Sequence, residues 1–374
     1  MPRHPLIALL LLSLVAVVGC PEEEGGPLTV VTYNAGLAEG FVPGAVDRSP
    51  KTAAAIGDLD GDVICVQEVW TPEQVADLEG ATTGAFPHQY YPEPSQEMGS
   101  GAACDASDLE PVISCVEEDC DTSCVDELVD CMFDNCTLVF LGLEKNCMEC
   151  VQANVGRDVD DIEATCTTEY TKYAYDGSFG TGILSAHPLS GTEELVFDSA
   201  TNRRSVLHAV VDAPPGPVDL YCTHLTAVFD LIPYPQEDGS WVEDQTTQID
   251  EMLAFIDDTR TGDLVVLAGD MNAGPKVGDS VADQKENWNL LASSGMSVPY
   301  VEAEGPCTMC PDNPLRDDDS DPILIDHVLI EGFTGAVTAE RILTDEITSE
   351  RCGEEIPAAY SDHYGVQVTI AAPE

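Results

Sequence analysis

The chain has 374 residues, with 69 Asp and Glu against 14 Lys and Arg, a formal net charge of −55. That length suits one large domain or two small ones. A surface of that sign repels polyanions and anionic membranes at long range, so it gives no electrostatic route to non-specific nucleic-acid binding. It suits a high-salt habitat or divalent-cation binding.

At the N-terminus, Arg3 and His4 precede an apolar run from Leu6 to Val18 that closes in "VVGC" at Cys20. A basic start, a short apolar core and a small residue before a cut predict a secretory signal over residues 1–19. The run is too short to be the first choice for a membrane span. "VVGC" resembles a bacterial lipobox with Val17 in place of the usual leucine. That resemblance implies that Cys20 is the lipidated first residue of an exported lipoprotein, tethered to the cell-envelope membrane by acidic residues 20–27. An ordinary signal peptide or an uncleaved anchor are the alternatives. Of 15 Cys, 14 then remain, an even number in a chain whose export permits disulfides.

"PLTVVTYNAG" predicts a strand ending at Asn34, and "SPKTAAAIGDL" a short helix with a Ser cap. "DVICVQEV" reads as a buried strand whose apolar run ends at Glu68. "TPEQVADLEG" reads as a helix capped by Thr71, with Pro72 at its first position and Gly80 as its stop. The acidic "DLDGD" at Asp58–Asp62 lacks the Gly and Glu of a calcium loop and reads as a turn before the strand. Residues 103–175 then break the pattern. Rich in Cys and acid, they read as an insertion of two or more short helices stapled by disulfides. The CxxC at Cys147 and Cys150 lacks the two further close ligands a zinc site needs, so disulfides are the better reading.

After the insertion the strand pattern resumes. "GTGILSAHPL" predicts a strand and turn, and "RSVLHAVVDAPPGPVDLYCTHL" two strands joined by a Pro/Gly turn, with His224 at the end of the second. Asp244 to Asp258 has a helical apolar face of Ile249, Met252, Leu253 and Ile256. "DLVVLAGDMN" is a strand running to Asp270 and Asn272. These two are spaced i, i+2, so a continuing strand would project both side chains to one face. "CTMC" at Cys307–Cys310 and "RDDDSD" at Arg316–Asp321 read as loop. "DPILIDHVLIEG" is a strand carrying Asp326 and His327, and "SDHYGVQVTIAA" closes the chain after Asp362 and His363.

Polar residues thus end or interrupt strand after strand: Asn34, Glu68, His224, Asp270, Asn272, Asp326, Asp362 and His363. All belong to the acid, amide and imidazole set. "TYNAG", "VQEVW", "GTGILSAHPL", "CTHL", "GDMN", "IDHVLI" and "SDHYGV" occur in the order found in the endonuclease/exonuclease/phosphatase superfamily, which the chain resembles outside the Cys-rich insertion. The resemblance implies an α/β fold, a four-layer sandwich of two mixed β-sheets flanked by helices, over residues 28–374. It implies cleavage of a phosphate ester with Mg²⁺ or Mn²⁺ as cofactor. By resemblance Glu68 is the principal metal ligand, with Asn34 nearby. Asp270 positions and deprotonates water or holds a second metal. Asn272 orients that assembly and hydrogen-bonds a phosphate oxygen. His224 and His363 donate to phosphate or relay a proton, and Asp326 and Asp362 orient imidazole or touch metal. Which histidine is acid and which is base stays open. Arg204 is a candidate substrate contact, although a surface position is the commoner fate of such an arginine.

Within the superfamily, the segment from "THL" to "GDMN" and the terminal "SDHYGVQVTI" look most like bacterial sphingomyelinases and phospholipase C-like relatives. Few Lys and Arg are available for DNA phosphates. Both observations favour a phospholipid headgroup over nucleic acid as the partner. A secreted nuclease and a non-catalytic surface binding protein are the other readings, and the second conflicts with the complete set of polar residues. No protein partner is implied.

Overall fold

The computed structural model describes residues 26–229, 232–236, 238–316 and 319–372. The signal segment and Cys20 lie outside them. The strands in chain order are β1 (Leu28–Asn34), β2 (Val63–Gln67), β3 (His88–Tyr90), β4 (Gly182–Ser185), β5 (Leu189–Val196), β6 (Ser205–Ala213), β7 (Gly216–His224), β8 (Val265–Asp270), β9 (Asp326–Glu331), β10 (Val337–Ile342), β11 (Glu346–Arg351), β12 (Glu354–Ala359) and β13 (Gly365–Ile370). They form a six-stranded sheet in the order β10-β13-β1-β2-β4-β3, a five-stranded sheet in the order β5-β6-β7-β8-β9, and the separate ribbon β11-β12. Each large sheet is mixed, with one parallel pair, β1–β2 in the first and β7–β8 in the second.

Period-2 alternation assigns the layers. On β1, Leu28 and Val30 enter the core between the two sheets, whereas Val31 and Tyr33 point outward. On β2, Val63 and Cys65 go inward and Ile64 and Val66 outward. On β8, Val266 and Ala268 face the first sheet, while Val265 and Leu267 face the helix Trp241–Thr259 through Ile249, Met252 and Ile256. The helices Ala45–Gly57 and Pro72–Thr82 cover the other outer face. Helix, sheet, sheet and helix make the expected four layers. Strands this apolar on both faces need such double cover.

A disulfide between Cys65 and Cys222 crosses the central layer and ties β2 to β7. Both cysteines have inward parity and both are fully buried.

Local boundaries differ in two places. The first helix begins at Ala45 after a left-handed Gly44, so Ser49 and Pro50 lie inside it rather than at its cap. Arg48, fully buried, anchors that extra turn by donating to the carbonyls of Pro43, Tyr360 and Gly36. The second helix has the expected Thr71 cap, closed as a capping box with Gln74, but runs past Gly80 to Thr82. A Cβ at Gly80 would point into open space, with no atom within 4 Å.

The insertion contains the helices Ala106–Asp119, Val125–Cys131, Thr137–Phe140, Lys145–Ala153 and Val159–Cys166, with a π-helical turn at Met132–Cys136. Four bridges are internal: Cys104–Cys147, Cys115–Cys136, Cys120–Cys131 and Cys150–Cys166. A fifth, Cys124–Cys352, fastens the insertion to the β11-β12 turn. Both cysteines of the CxxC are thus consumed in bridges, and Cys307–Cys310 close a local one. Among the described residues no helix is long and apolar enough to cross a membrane.

Candidate active site

The parity that builds the central core also builds the site. Asn34 continues the inward series Leu28, Val30, Thr32. His224 continues Val218, Leu220, Cys222. Asp270 continues Val266, Ala268, and Asp326 precedes Val328 and Ile330 on the same face. The parallel pairs β1–β2 and β7–β8 bring their carboxyl ends to one edge. The antiparallel β9 and β13 begin there, since Asp270 pairs with Asp326. Polar side chains therefore cap the open end of the apolar layer between the sheets.

Their contacts are specific. The Asn34 amide donates to Asp270 Oδ2 at 2.9 Å and to Glu68 Oε1 at 3.1 Å. Asp270 Oδ1 accepts from the Asn272 backbone N–H at 2.8 Å. His363 Nδ1 lies 2.8 Å from Asp326 Oδ2, and His224 Nε2 lies 3.5 Å from Asp270 Oδ2. Asp326 Oδ1 and His224 Nδ1 are buried without a hydrogen-bond partner among the described residues. Glu68, His224, Asp270, Asn272, Asp362, His363 and Arg204 all line one cavity. Asn34 and Asp326 stand behind it and hold Glu68, Asp270 and His363 in place.

Burial and crowding set the charges. Burial first, then the Asp362 carboxylate, raise the Glu68 carboxyl above its usual range. Burial and the facing Asp326 raise Asp270 as well. Burial alone would lower His363, but Asp326, Asp362 and Asp270 overcome it and hold the imidazole up at about 10. Burial, with Arg204 and His363 nearby, drives His224 well below its ordinary value and keeps it neutral. These acids repel one another, and a cation among them would relieve the cost.

Two expectations need adjusting. The strand stops at Asp270, and Asn272 sits at φ 45° outside it, so a left-handed turn rather than strand parity aims its side chain. Its amide donates to the Leu225 carbonyl at 3.0 Å, which leaves the carbonyl oxygen of the side chain for the cavity. Arg204 is not at the surface. It is 5 % exposed, 5.7 Å over the Trp70 ring, and burial lowers its guanidinium to about 10 against the pull of Glu68 and Asp270. His327 has the opposite parity from Asp326. It packs 4.4 Å from Trp288, behind the sheet, with Nε2 3.2 Å from the Ala273 carbonyl oxygen.

Sequence reasoning missed Gly36 and Trp70, although both lie in the quoted motifs. Gly36 has φ 56°, and a Cβ there would stand 2.3 Å from Asp362 Oδ1. Only glycine allows the β1 loop to pass that carboxylate. Trp70 stacks on Tyr175 at 5.0 Å and closes one wall.

Solved structures share this architecture. SmcL superposes with a TM-score of 0.58 at 14% identity, covering 92% of this chain and 99% of that one. Sphingomyelinase C from Streptomyces griseocarneus gives 0.56 at 16% identity over 92% and 99%. Beta toxin from Staphylococcus aureus, solved as a mutant with bound magnesium ions, gives 0.54 at 13% identity over 91% and 98%. At such identities the likeness establishes the fold alone. No match is found among the curated proteins. The sequence pattern of the Endonuclease/Exonuclease/phosphatase family matches residues 31–363, from within β1 to the histidine paired with Asp326, and the chain belongs to that family.

Proposed function

We propose that the protein is an exported, divalent-cation-dependent phosphodiesterase that hydrolyses the headgroup ester of a phospholipid. The observation that carries the reading is the convergence of Glu68, Asp270, Asn272, Asp362, His224 and His363 on one cavity, with Asn34 and Asp326 holding them from behind. Family membership supports the reaction type. Seven disulfides support export to an oxidising compartment. A signal over residues 1–19 and lipidation at Cys20 rest on the sequence.

The residues present fit a hard cation. Glu68 and Asp362 offer carboxylate oxygens whose mutual repulsion a cation would cancel, and Asn34 is hydrogen-bonded to Glu68. Asp270, Asp326 and His363 also lie within 4.8 Å of one another. The 2.8 Å contact between His363 and Asp326 marks that trio for holding a proton instead. Mg²⁺ or Mn²⁺ would sit on Glu68 and Asp362 and neutralise phosphate charge.

The protein's own groups divide the remaining work. Asp270, fixed by Asn34 and the Asn272 N–H, orients the attacking water and takes its proton. His363, held at Nδ1 by Asp326, presents Nε2–H to the phosphoryl group. The buried Arg204 guanidinium supplies a second donor for a phosphate oxygen. Water adds to phosphorus, the bond to the lipid oxygen breaks, and that oxygen leaves with a proton from an imidazole.

The phospholipid assignment draws on charge. A zwitterionic phosphocholine headgroup carries no net charge for a −55 protein to repel, whereas DNA offers only repulsion at long range. The test is a panel of sphingomyelin, phosphatidylcholine, duplex DNA, RNA and bis-(p-nitrophenyl) phosphate, with excess chelator and then Mg²⁺ or Mn²⁺. Chelation should abolish turnover and the metal restore it, with a phosphorylated headgroup released from choline lipid. Full activity in chelator overturns the metal reading. Efficient DNA cleavage with no release from any phospholipid moves the protein to the nuclease reading.

A further inference from the structure

The cavity that contains the catalytic side chains does not end at them. It has a volume of about 360 Å³, and beyond Trp70 and Val155 it continues into the Cys-rich insertion. There it is walled by Leu109, Val112 and Val116 of one helix, and by Leu128, Met132 and Phe140 of the next segments. Leu109, Val112, Ile113 and Val116 stand at i, i+3, i+4 and i+7, so one face of the helix Ala106–Asp119 looks into the hollow.

Two features mark this hollow as a ligand site rather than slack packing. The insertion is rich in Asp and Glu, yet it contributes no acidic side chain to the lining. Its acids are sorted away from the hollow. Second, four internal bridges and the Cys124–Cys352 tie fasten the helices around it. A segment cross-linked in this way can stay folded without filling its interior. Apolar walls that lead to a few convergent polar groups are the signature of a site for an amphiphile.

We propose that the insertion is an acyl-chain receptacle. With the substrate phosphate between Arg204, Asp270 and His363, one hydrocarbon chain of the same lipid lies along Val112, Val116 and Leu128, drawn out of the bilayer into the insertion. This rests on the phospholipid reading and adds where the chain goes. Phe41 and Phe229 line the same cavity and are 42% and 38% exposed, which makes an apolar mouth for the chain to enter. Transfer of a chain between two apolar surroundings costs little, while the headgroup gains the catalytic contacts.

The full chain should be assayed on dihexanoyl and dipalmitoyl phosphocholine lipids in mixed micelles at equal surface concentration, with bis-(p-nitrophenyl) phosphate alongside. The wild-type kcat/KM should be severalfold higher for the long-chain lipid: its chain leaves one apolar surrounding for another, so the gain comes from close contacts along Val112, Val116 and Leu128 that a six-carbon chain is too short to make. Val112→Trp should collapse the ratio of long-chain to short-chain turnover towards one. A dipalmitoyl lipid with a diazirine at its chain end provides a check that needs no variant. Photolysis should label peptides from 106–119 and 125–140. Equal wild-type turnover of both lipids, or labelling absent from those peptides, overturns the receptacle and leaves the phospholipase reading standing. Hydrolysis of the nitrophenyl ester with no turnover of either lipid overturns the phospholipid reading itself, and the receptacle with it.

Discussion

The sandwich and the insertion each have to keep a core closed, and they use different means. In the sandwich, long inward-facing series such as Val30, Cys65, Leu220, Val266 and Val368 fill the space between two sheets, and the Cys65–Cys222 bridge is an addition to a core already closed. The insertion has no sheet. Its longest helix has 14 residues, near the length at which isolated helices are only marginal in water, and its core leans on disulfides. The side chains proposed for catalysis come from the packed region, where strand parity places Asn34, His224, Asp270 and Asp326. The stapled region contributes walls. On the proposed reading, chemistry that needs groups placed to a fraction of an ångström sits on the rigid scaffold, and a hollow that admits a flexible chain sits on the cross-linked one.

Substitution of the inward-facing polar residues should break the sandwich side of this division most severely. His363→Ala and His224→Ala should each lower turnover of bis-(p-nitrophenyl) phosphate by roughly two to four orders of magnitude, the usual worth of an acid–base group. His327→Ala, one residue from Asp326 but on the other face, should cost less than about tenfold in turnover while lowering thermal stability through its contact with Trp288. A loss at His327 matching that at His224 would refute the parity argument.

That parity is why so much of the site was legible in the chain. Alternating apolar residues mark the strands, and a polar residue at the end of an inward series, such as Asn34, His224 or Asp270, has nowhere to point but the open edge. What was illegible depends on approach between distant segments. The need for Gly36 arises from Asp362, more than three hundred residues away, and no local pattern announces it. The burial of Arg204 depends on Trp70 and the far wall of the cavity. Bridge connectivity is likewise a property of the folded insertion, since its cysteine spacings permit many pairings. The end of β8 shows the middle case, where the right residue, Asn272, reaches the cavity through a turn rather than through strand parity.

Mild reduction should separate the two regions. Cys120 and Cys131 are half-buried partners, whereas Cys65 and Cys222 are fully buried. Brief exposure to a phosphine followed by alkylation should label Cys120 and Cys131 first and Cys65 and Cys222 last, as read by mass spectrometry. Losing the short Cys120–Cys131 loop should cost the insertion about 2–3 kcal/mol by loop entropy. Proteolysis should then cut within residues 103–175 and leave the sandwich intact. Equal labelling of the two pairs would mean that the sandwich is as open as the insertion.

The smallest expected effect sharpens the comparison through pH. Glu149 lies on the helix Lys145–Ala153, between Cys147 and Cys150, with only 5 % of its surface exposed. Burial raises its carboxyl to about 7. Lys172 pulls the other way, and Glu97 adds to the rise. A folded-state value above the unfolded one means that the folded insertion holds this proton more tightly. As pH climbs past the unfolded value near 4.5, the unfolded chain loses the proton first. The contribution of Glu149 to the insertion's stability is therefore greatest below about 4.5, falls as pH rises towards 7, and then levels off. Other carboxylates titrate in the same window, so the measurement has to be a difference. Glu149→Gln keeps the shape and removes the charge. Its stability relative to wild type should be greater at pH 8 than at pH 4 by an amount on the order of 1 kcal/mol, after allowance for solvent screening. Amide exchange in residues 145–153 reads this locally. A variant-minus-wild-type difference that does not change between the two pH values would show that Glu149 is solvated in the folded insertion and that its helix is less closed than the bridges imply.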